Sequence, residues 1–298
     1  TTAGFTADLE IAPGDWRSRD VLGLARDRIE RLRLLPRHGE AIELVRRGEG
    51  FVVATPFADA ADRDRVDPLL SELTGLRAER FGEAPLPAEV ETALASGPGS
   101  IELEAAGEAA PRRLDVGAEA AVGERWMRLD GKVFLARSAL ATSFEGPSDD
   151  WRSPRWSGFD AWRVERIRIS EAAGELTLVR DGGDWKSAGA VLPYTEAGDL
   201  LHELTSLRAA RLLPPAEATG RTVAPPQLTI VLADAAGDEE TLTLHAPAAG
   251  ATLEGRVSGR DVVLLLPVEA VAALRARIAA LREAARPAPP AAAPSAEP

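Results

Sequence analysis

The sequence predicts an α+β fold of two tandem repeats, each an antiparallel β-meander sheet with a packed α-helix, followed by a C-terminal helix. Three observations predict it. Asp-Trp-Arg-Ser occurs at 15–18 and again at 150–153, and IERLRL at 29–34 returns as VERIRI at 164–169, at the same offset of 135. EAIELVRRGEGF at 40–51 aligns with GELTLVRDGGDW at 174–185, setting Phe51 against Trp185. LLSELTGLRAERF at 69–81 matches LLHELTSLRAARL at 200–212 at nine of thirteen positions. Collinear matches of this kind are what a duplicated structural unit leaves in a sequence. They divide the chain into a lead-in at 1–14, read as the end of a removed segment, a first unit at 15–149, a second at 150–286, and a Pro/Ala tail at 287–298. The tail has too few bulky apolar residues to pack and is expected to be disordered.

Each element follows from its pattern. In ERLRL and ERIRI, Leu32 and Leu34, or Ile167 and Ile169, alternate with arginines, as in a strand with one buried face. A second strand ends at RRGEG or RDGGD, whose glycines suit a hairpin turn, and Phe51 or Trp185 opens the third. Val66, Leu69, Leu70, Leu73 and Leu76, and in the second unit Ala197, Leu200, Leu201, Leu204 and Leu207, recur at helical spacing. Acidic residues at the start of each helix suit capping and the helix dipole. Four strands then follow in each unit: SIELEAAG, RRLDVGA, ERWMRL and KVFLAR, and later QLTIVLAD, ETLTLHA, ATLEGRV and DVVLLL. Asp130-Gly131 and Ser258-Gly259 mark tight hairpin turns. PVEAVAALRARIAALREAAR at 267–286 is a closing helix with Pro at its first turn.

Composition excludes several classes of function. The chain has 298 residues, a net charge of −12 and no cysteine, so disulfides, thiolate chemistry and Cys-type zinc sites are all absent. Its acidity argues against nucleic acid as a partner. All but two of its basic residues, Lys132 and Lys186, are arginine. No apolar run reaches the roughly 18 to 20 residues of a membrane-spanning helix.

The Trp or Phe closing the hairpin, the LL..L..L.A.R helix and the RLDVG that follows resemble the bacterial DUF4340 family, over about residues 14–286. Two departures stand out: a Tyr-Gly-Leu-like turn is absent around 88–99, and the Gly of LDVG has no counterpart in LTLHA. The resemblance implies an extracytoplasmic, periplasmic protein, often encoded beside ABC-transporter components of the gliding type. It also implies tandem units behind an N-terminal anchor, so membrane association is expected only through a segment outside this chain. It implies no chemistry.

No catalytic, cofactor or metal set is assigned. His38, His202 and His245 are dispersed, His202 on the solvent side of its helix, and none has a ligand partner at metal-binding spacing. The acidic runs at 58–67, 148–150 and 237–240 lack calcium-loop periodicity and read as solvated faces and helix starts. The candidate partner or ligand surface is Trp16, Trp151, Trp156, Trp162, Arg31, Arg33, Arg166 and Arg168. For the arginines the competing reading is an exposed sheet face with ion pairs to Glu30, Glu43 or Glu165. Trp16 and Trp151, found only where units meet, read as joint residues, with Asp15 or Asp150 capping the next turn. The expected function is a non-enzymatic binding or scaffold module that serves protein partners in a membrane ABC-type transport complex. The alternatives are a carbohydrate- or peptide-binding module using the cleft between repeats, favoured if Trp156 and Trp162 share an exposed face, and a hydrolase with an unrecognised carboxylate pair.

Overall fold

A computed structural model describes residues 18–213, 217, 225–245 and 252–285. Trp16, the lead-in at 1–14 and the tail at 287–298 lie outside the described residues. The chain forms two compact units that divide between Ser153 and Pro154. The second Asp-Trp-Arg-Ser motif therefore ends the first unit instead of opening the second.

The first unit contains β1 (Ile29–Pro36), β2 (Ile42–Arg47), β3 (Gly50–Thr55), β4 (Asp59–Ala60), helix α1 (Arg63–Thr74) and β5 (Arg80–Phe81). Helix α2 (Ala88–Ala95) and β6 (Gly99–Ala105), β7 (Arg112–Ala121), β8 (Glu124–Leu129) and β9 (Lys132–Arg137) complete it. The second contains β10 (Val164–Glu171), β11 (Gly174–Asp181), β12 (Asp184–Ser187), β13 (Ala190–Val191), α3 (Tyr194–Ser206) and β14 (Arg211–Leu213). It continues through β15 (Pro226–Asp234), β16 (Glu239–His245), β17 (Thr252–Val257), β18 (Val263–Pro267) and α4 (Val268–Ala284).

Each unit is one nine-stranded antiparallel sheet, ordered β4-β3-β2-β1-β6-β7-β8-β9-β5 and β13-β12-β11-β10-β15-β16-β17-β18-β14. The two orders are the same. The sheet is two meanders sewn together at its centre, because β1 pairs with both β2 and β6, and β10 with both β11 and β15. Helix α1 carries the chain from the β4 edge to the β5 edge, burying Val66, Leu69, Leu70 and Leu73 on one sheet face. Helix α3 buries Ala197, Leu200, Leu201 and Leu204 in the same way. Each such leucine contributes about 1.5–3 kcal/mol relative to exposure. Asp62 caps α1, its side chain accepting from the Asp64 amide at 3.2 Å, whereas α3 starts at Pro193 without a side-chain cap.

The turns largely match expectation. Asp130 and Gly131 both have positive φ in a two-residue turn that joins Leu129 to its partner Lys132. Gly48 and Gly182 take positive φ as first residues of the β2–β3 and β11–β12 turns. Ser258-Gly259 is no two-residue hairpin: the ladder resumes only at Arg256–Val263, so the connection runs over 258–262. Pro267 stands at the N-cap of α4, one residue outside the helix.

The units differ in what covers the sheet. Helix α4 joins α3 over the second core through Val271, Leu274, Ile278 and Leu281. In the first unit the chain after β9 instead makes short 3-10 turns at Leu140–Phe144 and Ser148–Trp151. Helix α2 forms a small separate cluster in which Val90 meets Trp126 and Val133.

Candidate functional site

The motif at 150–153 is a clasp on the first unit. It runs along β4: Ser153 donates its amide to the Ala60 carbonyl at 2.8 Å, and Asp62 donates to the Trp151 carbonyl at 2.8 Å. Trp151 is 2% exposed within the first core, and the Arg65 guanidinium lies 5.1 Å from its ring centre. The Arg152 side chain is 1% exposed, with Nε 2.8 Å from a fully buried Asp59 Oδ2 and its guanidinium 4.5 Å over Phe57. Asp150 pairs with Arg65 instead of capping a following turn. The residue just beyond each motif makes a matching bond within its own unit: Ala78 donates to the Arg19 carbonyl, and Ala209 to the Pro154 carbonyl, each at 2.8 Å.

Burial removes two aromatics from the candidate surface. Trp151 is core, and Trp156, 1% exposed in the second core, donates its indole N–H to the Leu204 carbonyl at 2.6 Å. Trp162 is 69% exposed, so the two tryptophans share no exposed face. Asp59 is a correction of another kind, since it belongs to a run read as solvated and is instead a buried ion-pair partner.

The strand arginines form charge-balanced rows. Arg31 lies 3.0 Å from Glu43 and 3.5 Å from Glu104, and Arg33 lies 2.9 Å from Glu102. Arg113 extends the row to Glu102 and Asp115. In the second unit Arg168 pairs with Glu239 at 3.4 Å, and exposed Arg166 stands between Val179 and Ala233 in the ladder. Glu43 is the partner the sequence predicts, whereas Glu102 and Glu104 lie on β6, a neighbour that alternation along β1 does not name. Exposed pairs of this type contribute about 0.2–1 kcal/mol each, and their neighbouring carboxylates neutralise the field an anion would need.

A second pair of arginines recurs at matched places in the two units. Arg46 stacks over Phe51 at 4.6 Å and donates to the Arg26 and Ile29 carbonyls, both at 2.7 Å. Arg180 stacks over Trp185 at 5.1 Å and donates to the Ala161 and Trp162 carbonyls. Each ties the turn before the first strand of its unit to the second strand. The signal was present in the repeat, as LVR at 44–46 and 178–180.

Beside the clasp lies a cavity of about 270 Å³. Leu34, Ile42, Phe144 and Trp151 form its apolar wall. His38, Glu40 and Glu145 stand at its mouth and are exposed, and Glu40 Oε2 accepts from Ser148 Oγ at 3.2 Å. A smaller cavity of about 150 Å³ between β3 and α1 is crossed by the Arg26–Asp67 ion pair. Among the described residues no three His, Asp or Glu side chains gather where a metal ion could sit, and no helix is long and apolar enough to cross a membrane.

The family model for DUF4340, a domain of unknown function, matches residues 1–96 and again residues 89–227. The chain belongs to the DUF4340 family. No curated protein and no solved structure matches it.

The structure accounts for where this DUF4340 chain departs from its own repeat. Gly117, the Gly of LDVG, lies where an added Cβ would stand 2.4 Å from the Trp126 carbonyl oxygen and 3.2 Å from the Ala93 carbonyl oxygen of α2. Helix α2 therefore presses on β7 at a residue without a side chain, and His245, at the matching point of β16, is 7% exposed. His202 is exposed on α3. Among the described residues the exposed large apolar groups are Val122 in the first unit and Trp162, Val179, Val191 and Tyr194 in the second. Val179 and Val191 flank Lys186 in one row across β11, β12 and β13. Asp234 closes the β15–β16 turn, accepting from the Ala236 and Asp238 amides at 2.9 and 3.0 Å and from Arg163 at 2.7 Å. The Arg163 hydrogen bond, assisted by those amides, holds its carboxyl below the usual carboxylate value.

Proposed function

We propose that this DUF4340 chain is a non-enzymatic, extracytoplasmic binding or scaffold module, accessory to a membrane ABC-type transport complex and anchored through a segment outside the chain. What the two units repeat is fold machinery: core leucines, turn glycines and the arginine clamps. The two units differ in what covers the sheet and in which apolar side chains stand exposed. The observation that carries the reading is the set of exposed apolar side chains Trp162, Val179, Val191 and Tyr194 in the second unit, with Val179 and Val191 in one row. Contiguous apolar patches with a polar rim mark protein contacts, and the row in which Val179 and Val191 flank Lys186 supports a contact there.

The test uses the chain in its native membrane. Substituting Trp162, Val179 and Val191 together by Ser is expected to abolish co-purification of transport-complex subunits, with the thermal midpoint unchanged. Recovery in the cytoplasmic fraction of native cells, or undiminished co-purification by the triple variant, overturns the proposal. Trp162-dependent binding on a glycan array, without transport subunits, decides for the carbohydrate-binding alternative.

A further inference from the structure

We infer that the cavity of the first unit is a receptor for an arginine side chain carried by a protein partner. The second unit shows what the same corner of the fold holds. There Arg282 of α4 reaches the β10–β11 turn, its guanidinium pairing with the Glu171 carboxylate and donating to the Gly174 carbonyl at 2.7 Å. Both ion-pair side chains are largely buried, at 18% and 16% exposed. The Leu34–Ile42 pair of the first sheet corresponds to the Ile169–Leu176 pair of the second, so the two turns occupy one place in the repeat. Pro36 stands where Glu171 does, and Gly39-Glu40 where Gly174 does.

In the first unit no α-helix follows β9 to deliver such a side chain, and among the described residues none that lines the cavity is Arg or Lys. Arg65, which stacks over Trp151, is engaged with Asp150 and the Glu145 carbonyl. The carboxylates here come from two places: Glu40 of the β1–β2 turn, oriented by Ser148, and Glu145 of the chain after β9 both line this aromatic-walled space. A planar guanidinium on an apolar stem matches each part, because it stacks on aromatic rings and donates in a fork to carboxylates. About 270 Å³ is the scale of a side chain, below that of drug-sized ligands.

The inference rests on the reading of the chain as a protein-binding module. Its test is separate: titration of the isotope-labelled full chain, followed by amide chemical shifts, with a capped Ala-Ala-Arg-Ala-Ala peptide. Saturable shifts at Gly39, Glu40 and Ser148 are expected. The citrulline peptide should show none, the lysine peptide should bind more weakly, and the Glu40→Gln/Glu145→Gln variant should lose at least about tenfold in affinity at an unchanged thermal midpoint. Equal binding of the citrulline or lysine peptide, or retention of affinity by the variant, overturns the assignment. Free arginine binding as tightly as the peptide overturns the protein source. Failure of the peptide to bind while transport subunits still co-purify overturns this inference alone.

Discussion

Asp59 and Arg152 are 93 residues apart in sequence, and each is uninformative alone: one sits in an acidic run, the other in an arginine-rich chain. Folding places their charges together with almost no solvent access. Removing one partner strands a buried charge, so Asp59→Ala is expected to cost the first unit about 3–5 kcal/mol in urea unfolding. The double substitution Asp59→Leu/Arg152→Met should recover part of that loss, because it leaves no buried charge unpaired, although the Ala60 amide loses its Asp59 acceptor and the half-exposed Asp149 loses Arg152. A single variant as stable as the parent would contradict the buried pairing. The second unit offers a natural comparison, with Ala190 at the position of Asp59. Asp234 sets a pH dependence there. Its carboxyl titrates below its ordinary value of 3.8 in the folded chain, so its contribution is complete at neutral pH and is lost as pH falls from that value through the folded one. Stability of the second unit should therefore fall more steeply in that acid range for the parent than for Asp234→Asn, as read by circular dichroism.

The elements that sequence alone located are those with a period. Strands such as β1 and β10 alternate leucine or isoleucine with arginine, and α1 and α3 carry apolar residues at helical spacing, so a one-sided burial pattern is written in each. The edge strands β4, β5, β13 and β14 are two or three residues long, too short for any alternation to show. Helix α2 was missed because its packing depends on Gly97 and Gly117, which let the chain approach β7 closely, and a missing side chain gives no periodic signal. Gly117→Ala is expected to destabilise the first unit by about 1–3 kcal/mol, since backbone on both sides must move to admit a methyl group. Hydrogen exchange should rise first in α2, and unchanged protection there would contradict the close packing.

For the whole molecule, the offset between matched blocks was enough to reveal the duplication, because core and turn residues recur in order. It could not give the strand order, since the pairing of β1 with β6 joins segments whose side chains only alternate and name no partner. The same limit governed the candidate site. Trp151 reads in sequence as a joint between units or a ligand surface, and not as core of the first unit, because the partners of its motif, Asp59, Ala60 and Asp62, lie far upstream. The cavity was invisible for the same reason, being built from the β1–β2 turn and the chain after β9. The central claim is that the Asp-Trp-Arg-Ser at 150–153 closes the first unit. It is tested most directly by comparing urea unfolding of residues 1–153 with residues 1–149. The longer chain should unfold cooperatively with the first unit's stability, and the shorter should lose at least about 3–5 kcal/mol, the cost of emptying the Trp151 site. Equal midpoints for the two would show that the motif belongs to the second unit and would contradict the account.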